Sequence, residues 1–99
     1  MPKKISWSPL AEEDLESILG YLQTNWGNAA SLKFLNVVDH LLSQIANNHR
    51  QFPLINKKHR IRKAVLSKHN SLYYKNARSH IYLLRIYDNR QDPKKLKFV

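Results

Sequence analysis

The chain has no cysteine, only two glycines and only seven acidic residues in 99 positions, and each shortage closes off a class of protein. Without cysteine there is neither a disulfide framework nor a thiolate metal site, which fits a reducing compartment. With two glycines there is no glycine-rich loop to cradle a phosphate. Long apolar runs are also missing, and every stretch falls well short of the ~20 residues that a membrane span needs. Lysines near Met1 have no apolar run behind them, so no signal peptide is expected. The expectation is one domain over residues 1–99, cytoplasmic, with no membrane association and enough residues for one modest core.

What the chain has in excess is positive charge, a formal net of +10, and it is unevenly placed. Residues 1–48 carry three bases against five acids (Glu12, Glu13, Asp14, Glu16 and Asp39), a net of −2. Residues 49–99 carry fourteen bases against Asp88 and Asp92, a net of +12. A cationic half of that size selects phosphate backbones, acidic protein segments or anionic surfaces as partners.

Local patterns predict an α+β order. Lys3 to Trp7 alternates and reads as a short strand. Ser8-Pro9 starts a helix, with Ser8 as N-cap, Pro9 at the first helical position, and Glu12, Glu13 and Asp14 facing the positive end of the helix dipole. Ala11, Leu15, Ile18, Leu19, Leu22 and Trp26 form an apolar stripe that stops at the cap and turn pair Gly27-Asn28. A second helix is predicted from Ala29 to Asn47, its stripe Phe34, Val37, Val38, Leu41, Leu42 and Ile45, so that the two form an antiparallel hairpin. After an irregular basic link around Phe52-Pro53, three strands follow at Arg60–Ser67, Asn70–Lys75 and His80–Tyr87, with turns short enough for hairpins. The predicted architecture is an N-terminal strand, a helix hairpin and a three-stranded antiparallel sheet, with the helices on one sheet face.

Read in this order, the residues resemble a known family. Ser8-Pro9-Leu10-Ala11-Glu12-Glu13-Asp14-Leu15 is similar to the S-P-x-A-x-x-D-L opening of the RelE/ParE toxins. Phe52-Pro53 resembles their F-P segment, Ile61 to Leu66 their L-R-x-h-x-h strand (h being apolar), and Leu72-Tyr73-Tyr74 their L-h-Y strand. Ile81 to Arg90 resembles the last strand and its terminal arginine. The resemblance implies the toxin of a type II toxin–antitoxin, or plasmid-stabilisation, system, silenced by an acidic antitoxin. It leaves three activities open: binding and inhibition of DNA gyrase, as in ParE-like members; metal-independent cleavage of messenger RNA at the ribosome, as in RelE-like members; or a non-toxic remnant that only binds antitoxin. Whether the chain is an enzyme is open with them. No cofactor is implied.

Two departures count against the nuclease. Ser71 stands where those nucleases carry an arginine, and no tyrosine follows Arg90. The nearest catalytic candidates are Arg85 and Tyr87, an arginine for phosphate and a tyrosine to stack or donate a proton, with Arg90 beyond the strand and His69 as acid or base. Strict alternation places Tyr82, Leu84 and Ile86 under the helices and turns Ile81, Leu83, Arg85 and Tyr87 to the opposite face. Arg60, Arg62, Lys63, Lys75, Arg85 and Arg90 are the candidates for holding antitoxin or target, although a solvated charged face would explain the same residues. None of the five histidines is spaced to share a metal, so no metal site is expected.

Overall fold

Ser8 determines how the first strand hands over to the first helix. In the computed structural model, which describes residues 3–98, strand β1 covers Lys4–Trp7 and helix α1 covers Pro9–Trp26. Between them, the Ser8 hydroxyl accepts from the Ala11 N–H at 3.0 Å and donates to the Leu84 carbonyl at 2.8 Å. One buried hydroxyl therefore caps the helix and ties its start to the sheet.

Helix α2 covers Asn28–Asn47, so a single residue, Gly27, separates the helices. Its φ of 90° is a conformation that side chains with a Cβ rarely adopt, which is why glycine sits at the bend. The helix begins at Asn28, one residue before the predicted start, because Gly27 alone makes the reversal.

The sheet has five strands, not the predicted four. After a short 3-10 turn at His49–Gln51 come β2 (Leu54–Asn56), β3 (Ile61–Val65), β4 (Asn70–Asn76) and β5 (His80–Asp88). Their order is β1-β5-β4-β3-β2, antiparallel except that β1 lies parallel to β5. The additional strand β2 is three residues long and falls in the segment read as an irregular link. The turn before β3 is closed by Asn56, which accepts from the His59 N–H, and by Arg60 in the left-handed region at φ 57°.

The helices pack on one sheet face, as expected. Ala11, Val38, Leu41 and Ile45 meet Ala64, Leu66, Leu72, Tyr74, Ile81, Leu83 and Ile86. A second, smaller cluster of Ile61, Tyr73, Leu84 and Tyr87 lies on the opposite face, covered by Leu96 and Phe98. The strand alternation in β5 needs correction here. Ile81 and Leu83, expected on the opposite face, are fully buried beneath the helices, while Tyr82 and Leu84, expected there, belong to the opposite side. The cause is a bulge: Tyr73 pairs with Arg85 but Tyr74 pairs with Leu83, so Leu84 is an extra residue in β5. One inserted residue reverses the facing of everything on one side of it.

Candidate functional site

The bulge also decides where Arg85 goes. β1 accompanies β5 only as far as Leu83, so the edge of β5 beyond it needs other partners. Asp14, from the second turn of α1, supplies them. Its carboxylate accepts from Nε of Arg85 at 2.7 Å, from Nη2 at 2.9 Å, and from the Ile86 N–H at 3.0 Å. The expectation that Asp14 serves the helix dipole is thereby corrected; only Glu12 sits in the first turn of α1. The Asp14 hydrogen bond raises the Arg85 pKa against the opposing effect of burial. The third arm of the guanidinium, Nη1, donates to the Lys97 carbonyl at 2.6 Å.

A groove of about 730 Å³ opens beside this pair, between α1, the end of β5 and the turn joining β3 to β4. All four residues singled out for chemistry line it: His69, Arg85, Tyr87 and Arg90. Three are already engaged. Arg85 is held by Asp14. Arg90 is held by Asp88, with Nη2 at 2.7 Å and Nε at 3.0 Å from its oxygens, and the Arg90 N–H also donates to that carboxylate. These bonds pull the Asp88 carboxyl down to about 2, well below its ordinary range. The Tyr87 hydroxyl donates to the Asp92 carbonyl at 2.9 Å. Ser71, at the position where an arginine would favour RNA cleavage, is fully buried and bonded to Asn89.

The groove carries two large aromatic side chains in addition. Tyr21 and Trp26 are 62% and 72% exposed, and both line it from α1. Trp26 was expected to end the apolar stripe of the core; it ends the helix but belongs to neither core cluster. The signal for Tyr21 was its helical step of three from Ile18 and four from Ser17, on the same flank as Asp14.

The candidates for holding a partner do not form one patch. Arg85 and Arg90 line the groove, whereas Lys63 lies over the ring of Tyr73 at 6.0 Å on the opposite sheet face. Lys75 borders a second groove of about 720 Å³ on that face, lined on its apolar side by Ile61, Leu84 and Phe98. Arg62 points to the helix side, where Nη1 donates to the Phe52 carbonyl at 2.7 Å and braces the link before β2. Arg60 sits exposed in the β2–β3 turn. Among the described residues no group of three His, Asp or Glu side chains is placed to hold a metal ion, and no helix is long and apolar enough to cross a membrane.

Comparison with known proteins places this geometry. Residues 5–93 match the family model described as the ParE toxin of the type II toxin–antitoxin system parDE. Among solved structures, the chain is similar to one from the chromosomal ParDE toxin–antitoxin system of P. aeruginosa, with a TM-score of 0.73 at 18% identity, over 87% of this chain and 95% of that one. It is also similar to a chain of the E. coli DinJ–YafQ toxin–antitoxin complex, with a TM-score of 0.60 at 17% identity, over 89% of this chain and 93% of that one. At such identities these two likenesses speak for the fold. No curated protein matches.

Proposed function

We infer the function from one premise: this chain belongs to the ParE toxin family of type II toxin–antitoxin systems. It is the toxin component of such a system, and its partner is an antitoxin. We propose that it acts by binding DNA gyrase and does not itself cleave RNA.

The observation that carries this reading is the engagement of three of the groove's four candidate groups, Arg85, Tyr87 and Arg90. Metal-independent cleavage of RNA needs a base at the 2′-hydroxyl, a cation free to take the crowded phosphate, and an acid at the leaving oxygen. Arg85 and Arg90 are each paired with a carboxylate, and the Tyr87 hydroxyl is bonded to a backbone carbonyl. Exposed Tyr21 and Trp26 beside these neutralised pairs suit a protein surface instead, since large aromatics with arginine are the usual anchors of protein interfaces. The acidic antitoxin is proposed to be drawn by the cationic half of the chain, residues 49–99.

The test is expression in a bacterial host, alone and beside the neighbouring open reading frame, following growth, messenger RNA integrity and DNA-damage signalling together. Arrest relieved by the neighbour, with intact RNA and induced damage signalling, is the expected result. Cleaved RNA would replace gyrase with the nuclease reading. Normal growth at good expression would leave a family member that binds antitoxin without poisoning the cell. Inhibition of supercoiling by purified gyrase is the direct biochemical check.

A further inference from the structure

We propose that residues 92–98 form a strap across the sheet face opposite the helices, that Arg85 and Tyr87 are its fasteners, and that Asp14 holds Arg85 in the position that keeps it shut.

Two contacts fasten the strap to β5. At its beginning the Tyr87 hydroxyl donates to the Asp92 carbonyl, and the Asp92 side chain caps the short turn Pro93–Lys95 by accepting from the Lys94 N–H. Near its end Nη1 of Arg85 donates to the Lys97 carbonyl. Between them Leu96 packs on the second cluster, and Phe98 meets the ring of Tyr73 edge-on at 5.8 Å. Both fasteners are side chains that the groove does not leave free for chemistry, and this gives them a task.

Electrostatics explains why the strap needs fastening. It brings Lys94, Lys95 and Lys97 onto the half of the chain that already has a net of +12, strap included, so the charges repel. An unneutralised guanidinium beneath Lys97 would add to that repulsion. Asp14 cancels it and, by binding Nε and Nη2, leaves Nη1 aimed at the one group of Lys97 that attracts a cation, its carbonyl oxygen. Only arginine can make both contacts at once, because its donors form a rigid fork.

Released, the strap uncovers Ile61, Tyr73 and Leu84, which are 3–6% exposed beneath it, and widens the second groove that Phe98 now walls. Access to this face of the sheet is thus governed from α1, whose first residues Pro9 and Leu10 also line the second groove. The coupling runs through one side chain.

A chain without cysteine allows a clean test. Ile61→Cys places a thiol under the strap and Val38→Cys places one in the core beneath the helices. The rate of modification by a soluble disulfide reagent is then read in each background. Phe98→Ala, Arg85→Lys and Asp14→Asn are each expected to speed modification of the thiol at 61 at least tenfold beyond any acceleration at 38, which reads only the overall loss of stability. An unchanged rate at 61 in Phe98→Ala would mean that the strap does not cover the face. Acceleration in Phe98→Ala but not in Arg85→Lys or Asp14→Asn would remove the fastener from the proposal. Equal acceleration at 61 and 38 would reduce the pair to general stability, and would equally overturn it.

Discussion

Asp14 and Arg85 lie 71 positions apart in sequence, yet they meet in a two-point ion pair that also captures the Ile86 N–H. The pair stands where β1 stops and the edge of β5 would otherwise be bare. A side chain from a helix thus completes a sheet edge.

Asp14→Asn should therefore destabilise the fold. The two side chains are 16% and 18% exposed, which places the loss below that of a fully buried pair, at roughly 2–3 kcal/mol. Urea unfolding measures it, and the double variant Asp14→Asn with Arg85→Gln should lose less than the sum of the two single variants.

Asp88 gives a pH dependence of known sign. Its folded pKa of about 2 lies below the ordinary 3.8, so the stability it contributes is present above about pH 4 and is lost as pH falls toward 2. Arg90→Ala should move its titration back toward the ordinary carboxylate range, read by NMR at the Asp88 carboxyl carbon. Stability at pH 7 should fall with it, though only slightly, because Arg90 is exposed and solvent screens the pair.

Tyr74 acts at the alkaline end. Burial pushes its phenol up to about 12, while the unfolded phenol ionises near 10, so folding stability falls as pH rises through that interval. Tyr74→Phe removes this component together with the hydrogen bond to the His49 carbonyl, at a cost of about 1 kcal/mol at neutral pH. Alkaline unfolding followed by circular dichroism should separate the two effects.

The two glycines should respond in opposite directions. Gly20 lies exposed in the interior of α1 with open space around it, and Gly20→Ala is expected to stabilise by about 0.5–1 kcal/mol. Gly27 is as open but has φ 90° and ψ 175°, a region essentially reserved for glycine, so Gly27→Ala should destabilise by roughly 1–3 kcal/mol through backbone strain alone. Thermal unfolding of the pair tests both.

The complex with antitoxin should weaken as salt is raised if, as proposed above, fourteen cations in residues 49–99 draw an acidic antitoxin over a distance that salt shortens. Titration calorimetry at 50 mM and 500 mM salt should show at least a tenfold loss of affinity. An affinity flat with salt would assign the binding to apolar burial.

Much of this was legible along the chain because it is local. Ser8-Pro9 and Gly27 mark helix ends by backbone and capping chemistry within a few residues, and the stripes of α1 and α2 report which faces are buried. The overall order of elements, and with it the family, followed from these. Strand β2 was not legible: three residues show no period, and Leu54–Asn56 is a strand only because β3 lies beside it.

For the site, the four side chains His69, Arg85, Tyr87 and Arg90 were identifiable by type, and they do share one groove. Their states were not. Which residues a strand turns inward depends on whether its neighbour's register skips a place, and the bulge at Leu84 exists only in the pairing of β5 with β4. Whether an arginine is free depends on which carboxylate reaches it. Asp88 is two residues from Arg90, so that pairing is local, but Asp14 reaches Arg85 only once α1 lies along β5. Composition and periodicity determine which residues are buried and which are charged; partners far apart in sequence are chosen only when the tertiary structure brings them within a hydrogen bond of each other.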